Sequence, residues 1–411
     1  MYSNRVDLGQ RSETVRRANL SAIVRVLHED GPQSRSDLVV RTGLTRSAIR
    51  ALVGELTSSG LAAENRAVHL GRPGRPSPEV SLVPEAATAV AFSIGVDSLA
   101  AAVVGLGGSI LAEARVDRPR RHTSVEDIVE DLAGILAMLP GHLTSPDRIV
   151  SVGVAVAGVV RRQDGLVETA PNLGWKSAPL GTVLARRLGW DIPVIVGNEA
   201  DLGVLAELRR GAAVGIDDVI YVHGEVGVGA GIITGGRPLT GAAGYAGELG
   251  HFPVAADGAP CRCGSHGCWE TEIGGEILLV RAGYPSDAGR EGIDAVLRDA
   301  AAGSPVALAA IEHTGDRLGI GLAGFINTFN PRLVVLGGLF GRLEPFAQAA
   351  TWRAMAPRTL PAPLAMVRVV PAHLGDDAPL LGAAEMALEA VLGDPAARLG
   401  SREDVAELAT A

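Results

Sequence analysis

At 411 residues the chain is too long for a single core and should divide into two or three domains. With 47% hydrophobic and 20% charged residues and no apolar run near the roughly 18 residues of a membrane span, the composition excludes a membrane protein of the helical kind. The charged N-terminus, with Arg5, Asp7, Arg11 and Glu13, has no apolar stretch of the signal-peptide type, so a cytoplasmic location is expected. A net charge of −9 argues against nucleic-acid binding by the whole surface, but the charge is uneven. Residues 1–80 hold 12 arginines against 8 acidic residues, net +4, while the remainder holds 25 basic and 38 acidic residues, net −13. A basic head on an acidic body suits phosphate contact at one end only.

The head opens with an apolar-periodic segment over residues 12–29, where Val15, Ala18, Ile23, Val26 and Leu27 predict a helix buried on one face. Gly31-Pro32 ends it, and Ser34-Arg35-Ser36-Asp37 opens a short second helix. Thr42-Gly43-Leu44 makes the turn, and Thr45 is the N-cap of a third helix with Ala48, Ile49, Leu52, Val53 and Leu56 on its core side. Helix, glycine turn, helix is the unit that lays its second helix in the major groove of DNA. Arg46, Ser47 and Arg50 sit in the first turns of that helix, where base-edge contacts arise. A plain three-helix bundle with solvated arginines would read the same way. Residues 61–64 and 67–70 read as two short strands around a turn, a wing, and the strip Gly71-Arg72-Pro73-Gly74-Arg75-Pro76 carries Arg72 and Arg75 as candidates for the DNA backbone or minor groove. The same strip also reads as a linker.

From residue 88 the pattern becomes strand, glycine turn, helix, repeated. Residues 89–94, 100–106, 149–156, 194–196, 219–222 and 333–336 are apolar strand candidates, with a helix over 201–209 and a glycine-dense loop over 224–231. This is an α/β architecture with ligand-binding turns at strand ends. Cys261, Cys263 and Cys268 lie within eight residues, a poor disulfide framework and a plausible metal cluster, with a buried thiol cluster as the alternative. Either His251 or His266 could complete it.

The runs Gly227-Val228-Gly229-Ala230-Gly231, Gly247-Glu248-Leu249-Gly250-His251 and Cys261-Arg262-Cys263-Gly264-Ser265-His266-Gly267-Cys268-Trp269-Glu270 resemble the signatures of the ROK family of repressors, open reading frames and sugar kinases. The resemblance implies an α/β fold: an N-terminal winged helix-turn-helix (1–70), a Gly/Pro/Arg linker (71–87) and a two-lobed actin-like domain (88–398), with a tail at 399–411. Lobe I is expected over 88–197 plus 380–398 and lobe II over 198–379. It further implies His251, Cys261, Cys263 and Cys268 as a closed, structural Zn2+ site, and Asn172, Asn198, Glu199, Glu248, His251 and Glu270 as sugar contacts. Asn172, between Pro171 and Leu173-Gly174, also reads as ordinary turn chemistry.

Two departures from the family's kinases matter. Where kinases have Asp-x-Gly-Gly-Thr-Lys for ATP phosphates, this chain has Ser93-Ile94-Gly95-Val96-Asp97-Ser98, placing a Cβ and a negative charge at the phosphate position. Where they have a catalytic Asp in Asn-Asp-Ala, it has Asn198-Glu199-Ala200, a carboxylate displaced by one methylene. ATP is therefore not an expected cofactor. The sequence thus predicts a non-enzymatic, sugar-responsive regulator, a repressor acting as a homodimer or homotetramer on operator DNA. The alternatives are a sugar kinase with an accessory DNA domain, or a regulator whose sugar pocket is vestigial and which answers to a partner protein.

Overall fold

A computed structural model describes residues 12–65, 78–118 and 123–397. Its head comprises α1 (Ser12–Asp30), β1 (Gln33–Ser34), α2 (Arg35–Thr42), α3 (Arg46–Ser58), β2 (Ala62–Asn65) and β3 (Glu79–Leu82). Local chemistry sets the turns. Ser34 accepts from the Asp37 amide while the Asp37 carboxylate accepts from the Ser34 amide, a reciprocal cap that starts α2. Gly43, at φ 71°, ends α2, and Thr45 accepts from the Ala48 amide to start α3. Leu20, Ile23, Val24 and Leu27 form the buried stripe of α1 and pack with Leu38, Ile49, Val53 and Leu56. Val15 and Ala18, expected on that face, are exposed, and Val26 is half-buried. The denser apolar stripe decides which way the helix turns.

The head's strands form a sheet in the order β1-β3-β2. Residues 79–82, expected in the linker, are the antiparallel partner of β2, so the head extends past the Pro-rich strip. Val80 and Leu82 are buried while Glu79 and Ser81 are only half-buried, the two-residue alternation of a strand with one face on a core. The second wing strand expected at 67–70 lies outside the described residues.

The body is built on one plan used twice. Its first sheet holds β4 (Thr88–Ile94), β5 (Ser98–Gly105), β6 (Ile110–Asp117), β7 (Ile149–Val156) and β11 (Val194–Asn198), in the order β11-β7-β4-β5-β6. Helices α4 (Val125–Met138) and α5 (Leu180–Leu188) connect it, with a small side sheet of β8 (Val159–Arg161), β9 (Leu166–Ala170) and β10 (Trp175–Ala178). The second sheet holds β12 (Val219–Gly224), β13 (Val228–Thr234), β14 (Arg237–Pro238), β15 (Leu333–Gly338) and β16 (Arg368–Pro371), in the order β14-β13-β12-β15-β16. In each sheet three strands form an antiparallel meander and two more join in parallel beside the first. Around the second sheet lie α7 (Glu270–Ile273), α8 (Gly275–Arg281), α9 (Gly289–Ala301), α10 (Pro305–Phe329), α11 (Leu339–Met355) and α12 (Pro361–Met366). This is the two-lobed, actin-like α/β architecture.

Each lobe's last strand leads into a helix that packs on both lobes. Helix α6 (Glu199–Arg210) follows β11 but lies mainly on β12 and β13, and α13 (Ala378–Gly393) follows β16 but lies on β7 and β4. The two cross so closely that a Cβ at Gly382 would sit 1.9 Å from the Leu202 carbonyl oxygen. The head is not held at a distance from this body. Leu20, Ile23, Val24 and Leu27 share one core with Leu106 and with Leu388, Val391 and Leu392 of α13.

Candidate ligand cleft, metal centre and DNA-reading surface

The strand-end loops of both sheets open into one cleft, and α6 begins there. Asn198 caps that helix: its Oδ1 accepts from the amides of Ala200 (2.8 Å) and Asp201 (3.2 Å), and its Nδ2 donates to the Gly158 carbonyl (2.9 Å). Glu199 is thereby fixed as the first residue of α6. Asn172, Asn198, Glu199, Glu248, His251 and Glu270 all line this single cleft, about 780 Å³ with its open mouth included. That size and its few convergent polar groups suit a small polar ligand. Gly227 lets the loop after β12 approach, since a Cβ there would lie 2.5 Å from Asn172 Nδ2 and 2.7 Å from Glu270 Oε2. Asn172 is held in turn by Arg262, whose Nη1 donates to its Oδ1 at 3.0 Å. Asn198 differs from the others, because most of its hydrogen-bonding capacity is already committed to the cap.

The carboxylates dominate the electrostatics. Burial pushes the Glu199 carboxyl well above its ordinary range, and Glu225 and Glu248 push it further. Glu248 is raised by burial, with His251 opposing and Glu270 adding to the rise. Burial raises Asp201 to about 6, against the pull of Arg162. Crowded carboxylates of this kind gain from any ligand that brings hydrogen-bond donors, and charged acceptors make the stronger bonds. Sugar hydroxyls are such donors.

Beyond Glu199 the cleft continues into a second chamber lined by Ser93, Gly95, Asp97, His223, Glu225 and Asp376, among others. Here the decisive residue is one that sequence reasoning missed. Glu225 Oε2 accepts from the Val96 amide at 3.1 Å, so this backbone donor of the Gly95-Val96 turn is occupied by a carboxylate. Its carboxylate also fills the space over Gly95, where a Cβ would sit 2.7 Å from Glu225 Oε1. The signal was present: Glu225 is the one charged residue in the run Gly224-Glu225-Val226-Gly227-Val228-Gly229. The chamber's cations do not offset it. Arg290 is paired with Asp376 at 2.8 Å, Arg115 with Asp377 at 2.7 Å, and Arg342 with Asp294. Burial lowers His223 to about 4, so it is neutral.

His251, Cys261, Cys263 and Cys268 place their donor atoms within 4.8 Å of one another and can hold a metal ion. The Cys263–Cys268 sulfurs are 3.7 Å apart, as are His251 Nδ1 and Cys261 Sγ. Two thiolates on a tetrahedral ion with bonds of about 2.3 Å stand roughly 3.8 Å apart. Burial pushes the Cys261 thiol up, and Glu270 Oε1 at 2.8 Å adds to the rise, so a cation is what would hold it as thiolate. His266 is exposed and outside the set. The cluster abuts the cleft through Glu270, whose Oε1 lies 3.5 Å from His251 Nδ1.

On the head, Arg46, Ser47 and Arg50 are exposed at the start of α3, opposite buried Ile49, Leu52, Val53 and Leu56. Ser47 Oγ lies 3.1 Å from Thr45 Oγ1. Arg35 and Arg41 are instead paired with Glu64 and Asp30. Arg72 and Arg75 lie outside the described residues.

Comparison with known proteins agrees with this layout. Residues 89–390 match the ROK family. The chain is 27% identical over 384 residues to the xylose repressor of Bacillus spizizenii, covering 91% of this chain and 96% of that protein. It is 31% identical over 329 residues to a glucokinase of Streptomyces coelicolor, covering 97% of the kinase but only 73% of this chain. Among solved structures, a ROK family transcriptional regulator homologous to the E. coli MLC protein superposes with a TM-score of 0.73 at 25% identity, covering 94% of this chain and 99% of the other. A Streptomyces griseus glucokinase crystallised with glucose and AMPPNP gives 0.64 at 30% identity, covering 74% and 99%. The repressor and regulator matches span head and body together.

Proposed function

The chain belongs to the ROK family, and from that premise we propose that it is a sugar-responsive transcriptional repressor that binds its effector without phosphorylating it. The observation that carries this reading is the placement of the Glu225 carboxylate against the Ser93–Ser98 loop, where it takes the Val96 amide, on a chain 91% of which aligns with a xylose repressor. Glu199, Glu248, Glu270 and Asn172 bind sugar hydroxyls, with His251 at the edge of the site. Structural zinc on His251 and the three cysteines pins the segment bearing Glu270 beside Glu248. Arg46, Ser47 and Arg50 read bases, and Arg72 and Arg75 contact the DNA backbone or minor groove. A homodimer or homotetramer presents paired heads to half-sites whole helical turns apart.

The test is a panel of monosaccharides and phosphosugars against operator binding, with the operator selected from random duplexes by the protein itself. D-xylose and D-glucose come first, since relatives are named for them. One or more sugars should shift operator affinity with no nucleotide present. No shift with any sugar removes the sensing half of the reading. A kinase reading retains one observation in its favour, the carboxylate of Glu199 at the general-base position; sugar-dependent ADP release that vanishes in Glu199→Ala would establish it.

A further inference from the structure

Helix α6 has one end in the cleft and the other against the head. At its first residue, Glu199 lines the cleft; at its last, Arg209 and Arg210 enter a buried polar junction with α1 and α13. At a rise of about 1.5 Å per residue the helix spans roughly 16 Å between them. Arg210 Nη1 donates to the carbonyls of Gly107 (2.8 Å) and His28 (3.2 Å), and its Nε to Glu385. Arg209 donates to Glu385 Oε2 and to Glu389 Oε2, both at 2.8 Å, and Glu389 is shared with Arg25 of α1.

His28, at the end of α1, completes the junction. Its Nδ1 accepts from the Gly107 amide at 2.9 Å, and its Nε2 lies 2.9 Å from Glu385 Oε2 and 2.6 Å from Arg210 Nη2. The side chains of His28 and Glu385 are 0% and 2% exposed. Burial opposes ionisation of Glu385, yet its bond to His28 and the two guanidinium groups hold its carboxyl well below the usual range. The fit is tight: a Cβ at Gly108 would lie 2.1 Å from the Arg210 guanidinium carbon.

The apolar core that seats the head is shared with α13 and Leu106, whereas its link to α6 is polar and directional. A buried charge that loses a partner costs several kcal/mol, so such a junction has few intermediate arrangements. We propose that the His28–Glu385–Arg210 junction couples the cleft to the DNA-binding head, with Arg210 as the residue that transmits displacement of α6 to α1. This rests on the sugar-responsive reading above. A sugar drawing on Glu199 shifts α6 along or across α13; the guanidinium then leaves the end of α1, and the head's seat changes. Coupling of this kind is reciprocal, so DNA should alter sugar affinity by the same factor.

The experiment uses the full-length protein and the selected operator duplex. Operator Kd is measured with and without saturating D-xylose or D-glucose, and sugar Kd separately by calorimetry. Arg210→Met should bind sugar as wild type does but lose the sugar effect on operator Kd, to within about twofold of unity. Arg210→Lys keeps the charge without the fork, guards against a folding failure of the first variant, and should cut the effect at least about threefold. His28→Gln, which can still accept from Gly107 and donate to Glu385, should retain most of it. If a folded Arg210→Met or Arg210→Lys keeps the wild-type effect, the coupling role is overturned while sugar sensing stands. If the wild type itself shows none with any sugar of the panel, the sensing reading fails.

Discussion

The two chambers of the cleft, separated by little more than Glu199 and Glu225, have opposite fates. In the chamber proposed for sugar, hydrogen-bonding residues converge from both lobes and from the cysteine segment, and they are positioned by a helix cap, a close glycine approach and a cysteine cluster able to hold a metal. In the second chamber, the Val96 amide is taken by the Glu225 carboxylate and the arginines by other acids. On the proposed reading, recognition and catalysis are separated within one fold by changing the charge beside a loop. Binding a neutral polyol needs acceptors, which both chambers have. Binding a nucleotide favours net positive charge, whereas the second chamber's three arginines face four acidic residues, one of which holds the Val96 amide.

This contrast can be pressed experimentally. The largest effect should come from the metal cluster that supports the sugar side: Cys268→Ala or chelation should destabilise the protein by more than about 4 kcal/mol in denaturant unfolding, because structural-metal affinity is folding free energy. Sugar binding should be lost with it. Next, Glu248→Ala should weaken the effective sugar by about 1.5–3 kcal/mol in calorimetry, the worth of a hydrogen bond to a charged group, whereas ATP should leave the melting temperature of the wild type unchanged. A sugar at about 100 times its Kd should by contrast stabilise by about 2.7 kcal/mol.

The pH dependence follows from the raised carboxyls. Glu199 and Glu248 have folded pKa values above their unfolded ones. They therefore favour the apo fold most below the unfolded value, and that contribution is lost as pH rises through the folded one. Sugar donors favour the ionised form, so sugar affinity should fall as pH is lowered into the raised range of these carboxyls, with proton release on binding where they are protonated in the free protein. The smallest effect concerns the head: Arg50→Ala should relax preference at one base pair by about 1–3 kcal/mol, read by competition among operator variants. Equal weakening on all sequences would make it a phosphate contact.

Much of this was legible in the sequence because it is local. The apolar runs of β4, β7 and β12 announce themselves, and so do the caps at Ser34 and Thr45 and the three cysteines. What escaped was long-range. Residues 79–82 pair with β2 across an intervening Pro-rich strip, and two alternating apolar residues are a weak strand signal on their own. The face of α1 was placed too early because periodicity says that a stripe is buried, not against what. Its partner, α13, lies more than 350 residues away in sequence. Glu225, the lone acid in a glycine loop, and Glu385, one of two acids in an otherwise apolar, alanine-rich helix, share one overlooked signature: a charge in such a setting must have a specific partner or purpose.

The most direct test is operator binding followed by fluorescence anisotropy while sugar is added, with no nucleotide in the solution. A sugar should change operator Kd by at least about tenfold, and ATP added afterwards should neither alter that Kd nor yield ADP. Operator affinity indifferent to every sugar, or a response that appears only once ATP is present and is consumed, would contradict it.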